Sequence, residues 1–406
     1  MSQLSPNRHA VTFIFITVFL DMVGFGLIMP VLPRLIEDVS GTDLAGASLL
    51  GGWLFFAYGG MQFICGPLLG NLSDAYGRRP ILLLSVFGLG VDYLLTAFAP
   101  NMVWLFIGRI FAGLCGASYT TANAYLADIT KPDDRAKVFG YMGAAFGLGF
   151  IIGPAIGGIL GEYGPRVPFF VAAGVSILNF AYGYFVLPET LAPESRRPFS
   201  WARSNPIGVF KVFATYRQAL PLCIVMAMYF FATSVYPAIW AFWGIARFNW
   251  SEMTIGLTLS VFGLITAVVQ GGLTGPVVKW LGERNTAILA LVTSVIAAAG
   301  YGLATGMSMI LILFVIHAPE GFAQPALTAL MSRDAPADAQ GELQGGIASA
   351  QNLALLAGTV MFAQIFGYFL QGGSPLQSPN VGYFISAALC LAALVIFVRL
   401  PSRATA

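Results

Sequence analysis

The chain has 406 residues, 57% of them hydrophobic and only 9% charged, with a mean hydropathy of +0.79. An ordinary soluble protein carries roughly 25% charged residues, so a soluble enzyme and a disordered chain are both excluded. A net charge of +2 points away from a nucleic-acid partner.

A helix that crosses a bilayer needs about 20 apolar residues. Twelve such runs are predicted, near residues 10–35, 47–71, 80–99, 102–127, 136–161, 167–187, 219–245, 253–279, 285–306, 308–332, 342–371 and 380–400. They are continuous rather than alternating, which indicates helices and not a β-barrel. The first run is too long for a signal-peptide core and shows no cleavage pattern, so it counts as a span. Cys65, Cys115, Cys223 and Cys390 lie inside these runs without a CxxC pair and read as buried thiols.

Between spans six and seven, the stretch Pro188 to Arg217 carries Arg196, Arg197, Arg203, Lys211 and Arg217 with four prolines. It reads as a polar linker with one surface helix from Pro206 to Thr215. The predicted organisation is an all-α membrane protein of twelve transmembrane helices in two six-helix bundles. These cover residues 1–187 and 219–406, joined by a cytoplasmic linker at 188–218. With the N-terminus inside, only Arg34, Arg166, Arg247 and the in-span Arg109, of 20 Lys and Arg, fall away from the cytoplasmic side. The positive-inside rule therefore places both termini in the cytoplasm.

The halves carry a repeat. GNLSDAYGRR (70–79), after span two, is echoed 205 residues later by GPVVKWLGER (275–284), after span eight. Lys279 stands where the first copy has Asp74, which predicts that any clasp built on this loop is one-sided. Two parallel six-span halves are a transporter architecture, with substrate held near the midplane.

The segment GNLSDAYGRRPILLLSVFGLGVDY (70–93) resembles the cytoplasmic-loop signature of the major facilitator superfamily and is most similar to its tetracycline/proton antiporter branch. FLDMVGFGLIMPVLP (19–33), GRIFAGLCGA (108–117) and GLGFIIGPAIGG (147–158) agree with that branch. The last fits the antiporter pattern GxxxGPxxGG with Gly149, Gly153, Pro154, Gly157 and Gly158. The resemblance implies the major facilitator fold and proton-coupled export of an amphipathic, drug-like molecule across a bacterial-type cytoplasmic (inner) membrane. It also implies a conformational latch of Gly70, Asp74, Gly77, Arg78, Arg79 and Asp128, in which Asp74 meets the start of span eleven and Arg78 pairs with Asp128. Three positions depart from the branch. Ala75 replaces a basic residue of the signature, Ser294 stands where the tetracycline exporters carry a span-nine aspartate, and Thr266 where some carry a span-eight histidine.

An ionisable group at mid-bilayer costs about 2.5–3.5 kcal/mol on insertion scales, so each one is a functional candidate. Five are predicted to carry proton coupling: Asp21, Asp92, Arg109, His317 and Glu320. Asp21 lies roughly 16 Å into span one, among Gly24, Gly26, Pro30 and Pro33. Arg109 is the counter-ion available to Asp21 or Asp92. By resemblance, Arg109 takes part in proton transfer and Asp92 matches an important acid. His317 and Glu320, three apart on one helix face, have no counterpart in the tetracycline exporters and are expected to supply a second-half acid. The glycines of span five recur every four residues and form a stripe suited to close packing, expected against a span of the other half. Candidate substrate-binding residues are Gln62, Asn123, Tyr236, Trp240, Gln270, Gln324, Gln351 and Asn352.

No GxxxxGK[ST], HExxH or GxSxG motif is present, so neither direct ATP drive nor enzyme chemistry is expected, and no cofactor or metal is implied. The expected partners are a small-molecule substrate, protons and the lipid bilayer, with the protein acting as a monomer. A proton symporter importing a metabolite is the alternative within transport. A non-transporting receptor or scaffold is the alternative outside it.

Overall fold

The computed structural model describes residues 8–116, 118–130, 134–206, 208–333, 335–336, 339–372, 374 and 376–401. Among the described residues every regular element is helical, which keeps backbone hydrogen bonds inside each segment, as a bilayer demands. Spans one to six are Arg8–Ser40, Leu44–Tyr76, Arg78–Ala97, the pair Met102–Cys115 and Ser118–Ile129, then Arg135–Gly161 and Val167–Val186. Span seven is the pair Leu220–Thr233 and Val235–Phe248, span eleven Gln340–Leu370 and span twelve Val381–Arg399. Span ten is interrupted: Met307–His317, a 3₁₀ segment Ala318–Phe322, then Ala323–Ser332.

Eleven helical runs among the described residues are long and apolar enough to cross a membrane. One of them, Glu252–Leu303, has 52 residues, more than twice what a bilayer requires. Gly282 breaks it, with φ 75° and ψ 160°. The run is therefore spans eight and nine, and the count is twelve. Span eight is Glu252–Val268, followed by a π-helical turn at Val269–Leu273.

The sequence repeat is also a structural one. Gly77 ends span two's loop with φ 112° and ψ 158°, and Gly282, 205 residues later, adopts the same backbone region. A side chain is strained there, so both loops need glycine. The arginine two residues on repeats its role as well. Arg79 Nη2 donates to the Tyr184 carbonyl near the end of span six (2.8 Å). Arg284 Nη2 donates to the Leu400 carbonyl beyond span twelve (2.7 Å). Each guanidinium also lies over an aromatic ring, Tyr184 and Phe397 respectively, and each meets a helix C-terminus, where the dipole favours a cation.

By internal packing the chain divides into two compact units. Unit 1 is Met1–Thr42, Ala57–Pro206 and Trp250–Ser260; unit 2 is Asp43–Phe56, Ile207–Asn249 and Val261–Ala406. In unit 1 a core of Phe13, Ile14, Leu82, Tyr125 and Leu126 is fully buried. In unit 2 the core includes Met226, Leu291, Leu327, Leu343 and Phe397.

The expected surface helix at Pro206–Thr215 is a 3₁₀ turn, Gly208–Lys211, and a four-residue helix, Val212–Thr215. It is not a surface helix: Val212 and Phe213 are buried in the unit 2 core. Two adjacent large apolar side chains gain more from burial than from lying in solvent. Span eleven makes room for them, since a Cβ on Gly346 would lie 2.7 Å from Val212 Cγ1.

The glycine stripe of span five packs on span one, in its own half of the sequence. A Cβ on Gly149 would lie 2.5 Å from the Phe19 carbonyl oxygen, and one on Gly153 2.6 Å from that of Val23. Gly157 meets Leu27 in the same way. Only Gly158, one residue round the helix, takes the expected direction. Its Cβ would lie 2.5 Å from the Glu252 carbonyl oxygen at the start of span eight. Ser260 Oγ donates to the Ile151 carbonyl on the same seam (2.5 Å). The four-residue spacing holds one face of a helix towards one neighbour, and that neighbour is span one.

Candidate functional site

Unit 1 holds a buried ion pair. Arg109 Nη2 of span four stands 2.6 Å from Asp92 Oδ2 of span three, and the aspartate side chain is 1% exposed. Thr96, one turn after Asp92, accepts a second bond from Arg109 Nη2 at 3.3 Å. Gly108 leaves the space: a Cβ there would lie 2.8 Å from Asp92 Oδ1. Asp92 is one of the two acids open to Arg109, and it forms this ion pair. Asp21 is half-buried on span one. Tyr58 of span two and Tyr93 of span three each lie within electrostatic reach of Asp21, Asp92 and Arg109, so these charges share one neighbourhood.

The loop motif assembles around Arg78. Its Nη1 donates to Asp74 Oδ1 (2.5 Å) and to Ser73 Oγ (3.0 Å), and its Nε to Asp128 Oδ2 (3.2 Å). One guanidinium thus joins span two to span four through two acids. Gly70 has open space around it. The residue that sequence reasoning missed here is Glu189, just past span six. Its carboxylate accepts the backbone N–H of Arg78 (2.9 Å) and Arg79 (3.2 Å) at the start of span three, and of Thr190 (2.9 Å) and Leu191 (3.0 Å) in its own loop. A carboxylate at a helix N-terminus meets unsatisfied donors and a favourable dipole. The clasp is not one-sided either. Arg333 and Glu283 form an ion pair at 2.9 Å at the equivalent point of the second half.

A second missed acid is Glu252, with a side chain only 1% exposed, paired to Arg34 Nε at 2.8 Å. It opens span eight and so reads as an interfacial residue in the sequence. Glu162, at the end of span five, accepts the Met253 backbone N–H beside it (3.2 Å).

In unit 2, His317 Nε2 and Glu320 Oε2 are in direct contact. The other carboxylate oxygen accepts Tyr229 Oη of span seven at 3.0 Å. Tyr301 Oη of span nine lies 3.2 Å from His317 Nδ1. The imidazole is enclosed by Phe262, at 4.7 Å between centroids, and Tyr236, at 4.6 Å. The result is a continuous string Tyr229–Glu320–His317–Tyr301. Tyr229 and Tyr301 carry no sequence signal among so many aromatics.

The candidate substrate residues separate. Gln270, Gln324 and Gln351 line one cavity of about 610 Å³ in unit 2. Tyr236 and Trp240 belong instead to an aromatic cluster with Tyr301, and Trp240 is buried against Trp243 and Phe314. Large rings on adjoining spans gain more by packing together than by facing a polar cavity. In unit 1, Gln62 Nε2 donates to the Gly116 carbonyl (2.9 Å), at the break in span four. Asn123 is half-buried on span four, and Asn352 is exposed on span eleven.

The profile of the Major Facilitator Superfamily matches residues 14–359. The chain belongs to the Major Facilitator Superfamily. It is 37% identical over 388 residues to the tetracycline resistance protein, class C, of Escherichia coli, with 96% of each chain covered. It is 30% identical to multidrug resistance protein 2 of Bacillus subtilis (strain 168), with 85% of each chain covered. The crystal structure of the nucleoside transporter NupG superposes with a TM-score of 0.78 at 13% identity, over 96% of this chain and 98% of that one. At that identity the match speaks for the fold alone. As a member of the superfamily the chain is an integral membrane transporter and not an enzyme, and the fold of twelve helices is the one its loop signature implies.

Proposed function

We propose that this superfamily member is a proton-coupled antiporter that exports amphipathic, drug-like molecules across a bacterial-type inner membrane, as a monomer with both termini in the cytoplasm. The observation that carries the reading is a buried ionisable pair in each unit: Asp92–Arg109 and Glu320–His317. Charged groups are rare within spans and mark proton or ion pathways when they occur. A carboxylate against a cation holds its charge, and separation of the two favours protonation, which couples proton uptake to a change of packing. Relatives named for tetracycline and multidrug resistance support the substrate class and make tetracycline the first compound to test. Ser294, at the place of the tetracycline exporters' span-nine acid, has Glu320 as its functional substitute.

The test uses everted membrane vesicles with an imposed pH gradient, interior acid. Addition of tetracycline should draw protons out and accumulate the drug inside, and Asp92→Asn should abolish both. Drug accumulation without proton efflux would sink the coupling. Single cysteines at Ser195 and Thr42 in a cysteine-free background should label from opposite faces, Ser195 from the cytoplasm. Labelling of Ser195 from outside would reverse the topology.

A further inference from the structure

We propose that the groove between spans three and six of unit 1 binds an anionic phospholipid, with the phosphodiester at Arg79 and Arg196 and an acyl chain along Leu84, Phe87 and Phe180. The groove has a volume of about 580 Å³, within the range that holds a small organic group. Its mouth is polar, with Tyr76, Arg79, Tyr184 and Arg196, and its walls along the two spans are apolar, with Leu84, Phe87 and Phe180. Cations at one end and an apolar run at the other match the two parts of a phospholipid.

Comparison of the two halves shows that Arg79 has donors to spare. Arg284, its counterpart in the repeat, donates to four backbone carbonyls, those of Phe397, Val398, Leu400 and Pro401. Arg79 makes one side-chain hydrogen bond, to the Tyr184 carbonyl (2.8 Å), and its Nε is buried with no partner among the described residues. A guanidinium carries five N–H donors, and a buried donor left unmatched costs free energy. A phosphodiester laid against the guanidinium supplies two acceptors at once.

Arg196 comes from the linker, and the fold fixes where it stands. The Arg197 backbone N–H donates to the Asp74 carbonyl (3.1 Å), and Asn71 Nδ2 of span two donates to the Ser200 carbonyl (2.5 Å) and to Ser204 Oγ (2.9 Å). Arg196 itself is exposed and forms no ion pair among the described residues. The mouth is net positive, since two cations face one acid, Glu189, whose carboxylate already accepts four backbone N–H groups. An ammonium headgroup finds no free acceptor there, whereas an anionic one meets both arginines, as in other basic pockets between spans. Tyr76 and Tyr184 are exposed at the mouth, where rings with a polar tip suit the headgroup level. Leu84 and Phe87 are exposed on span three, and Phe180 lies 5.1 Å from Phe87 between ring centroids. These side chains continue the groove into the hydrocarbon, where an acyl chain replaces lost apolar contacts.

The test is native mass spectrometry of the delipidated full-length protein, titrated with phosphatidylglycerol or with phosphatidylcholine of the same acyl chains. Retention of the first bound lipid should favour phosphatidylglycerol. Arg196→Gln should weaken that retention about fivefold, the effect of one arginine at an anionic membrane surface. Lys211→Gln, which removes a linker charge outside the groove, should leave it unchanged. Arg79→Gln should weaken it at least as much as Arg196→Gln; if gel filtration shows that this variant does not fold, Arg196→Gln on the exposed linker decides. Glycerol 3-phosphate, which has the phosphate without the chains, should not displace the lipid at equal concentration. Displacement by it would assign the groove to a free phosphate and overturn the proposal. Equal retention of the two lipids, or equal losses in Arg196→Gln and Lys211→Gln, would overturn it as well.

Discussion

Arg333 and Glu283 meet through Nη2 and Oε2 at 2.9 Å, 205 residues beyond Asp128 and Arg78, whose ion pair they repeat with the signs exchanged. The position of the pairing survives between the halves although neither partner keeps its residue type. What matters at this point of each half is a charge contact between the loop and the end of the fourth helix after the half begins. Either polarity supplies it.

The two pairs should respond differently to exchange. Glu283→Arg with Arg333→Glu restores an isolated pair, so the double variant should fold and transport like the parent. The single variant Arg333→Glu should lose less than about 1 kcal/mol, because the pair is half in solvent. Arg78→Asp with Asp128→Arg should not be rescued, since Asp74 and Ser73 also hold Arg78. Thermal unfolding and drug flux measured on all three variants check this. Equal rescue of both pairs would show that Asp74 contributes nothing.

Asp92→Asn takes the partner carboxylate charge away from the buried Arg109. Removal of one member of a buried pair costs about 3–5 kcal/mol, so the variant should unfold well below the parent. Asp92→Asn with Arg109→Gln should recover most of that stability and still move no drug under a pH gradient. Asp21→Asn, at a half-buried site, should fold normally and lose gradient-driven transport. Full activity in Asp21→Asn would place the proton path elsewhere.

Glu320→Gln removes the carboxylate at the centre of the Tyr229–Glu320–His317–Tyr301 string. Transport should fall or its pH profile should flatten, with protein abundance unchanged. His317→Ala and Tyr229→Phe should each give a smaller displacement of the same profile. A parent-like profile in Glu320→Gln would make the glutamate structural.

Glycines of similar appearance should differ sharply. Gly153→Val drives side-chain atoms into the Val23 backbone, and overpacking of this kind costs about 1–3 kcal/mol or more. Gly77→Ala meets both a positive φ and the Glu189 carboxylate, so it should destabilise too. Gly70→Ala, with nothing within 4 Å, should leave the melting temperature unchanged. A stable Gly153→Val protein would mean that spans one and five can part.

Hydropathy alone makes the spans legible, because a lipid-exposed helix must be apolar over its full length. The Asp92–Arg109 pair is legible for the same reason: few charges enter the bilayer, and those few must find each other. Glu189 is not legible. A carboxylate in a loop reads as solvated until the fold brings the start of span three to it. Glu283–Arg333 escapes comparison of the repeats because exchanged signs leave no identical residues. The π-turn at Val269–Leu273 escapes because periodicity describes regular helices and gives no warning of one wider turn. Trp240 is ambiguous in the sequence since a tryptophan serves a cavity and a core equally well, and here the core holds it.

The backbone-to-backbone seam between spans one and five has a consequence for motion. Gly149, Gly153 and Gly157 bring the two backbones together and carry no side chains of their own that could change rotamer and absorb a displacement, so the two helices should move as a single mechanical rod. Spin labels at Glu37 and Glu162 should report one narrow distance distribution by pulsed spectroscopy, the same in the presence and absence of drug and at every pH. A distribution that shifts or widens with drug or pH would show that the two spans turn against each other during transport.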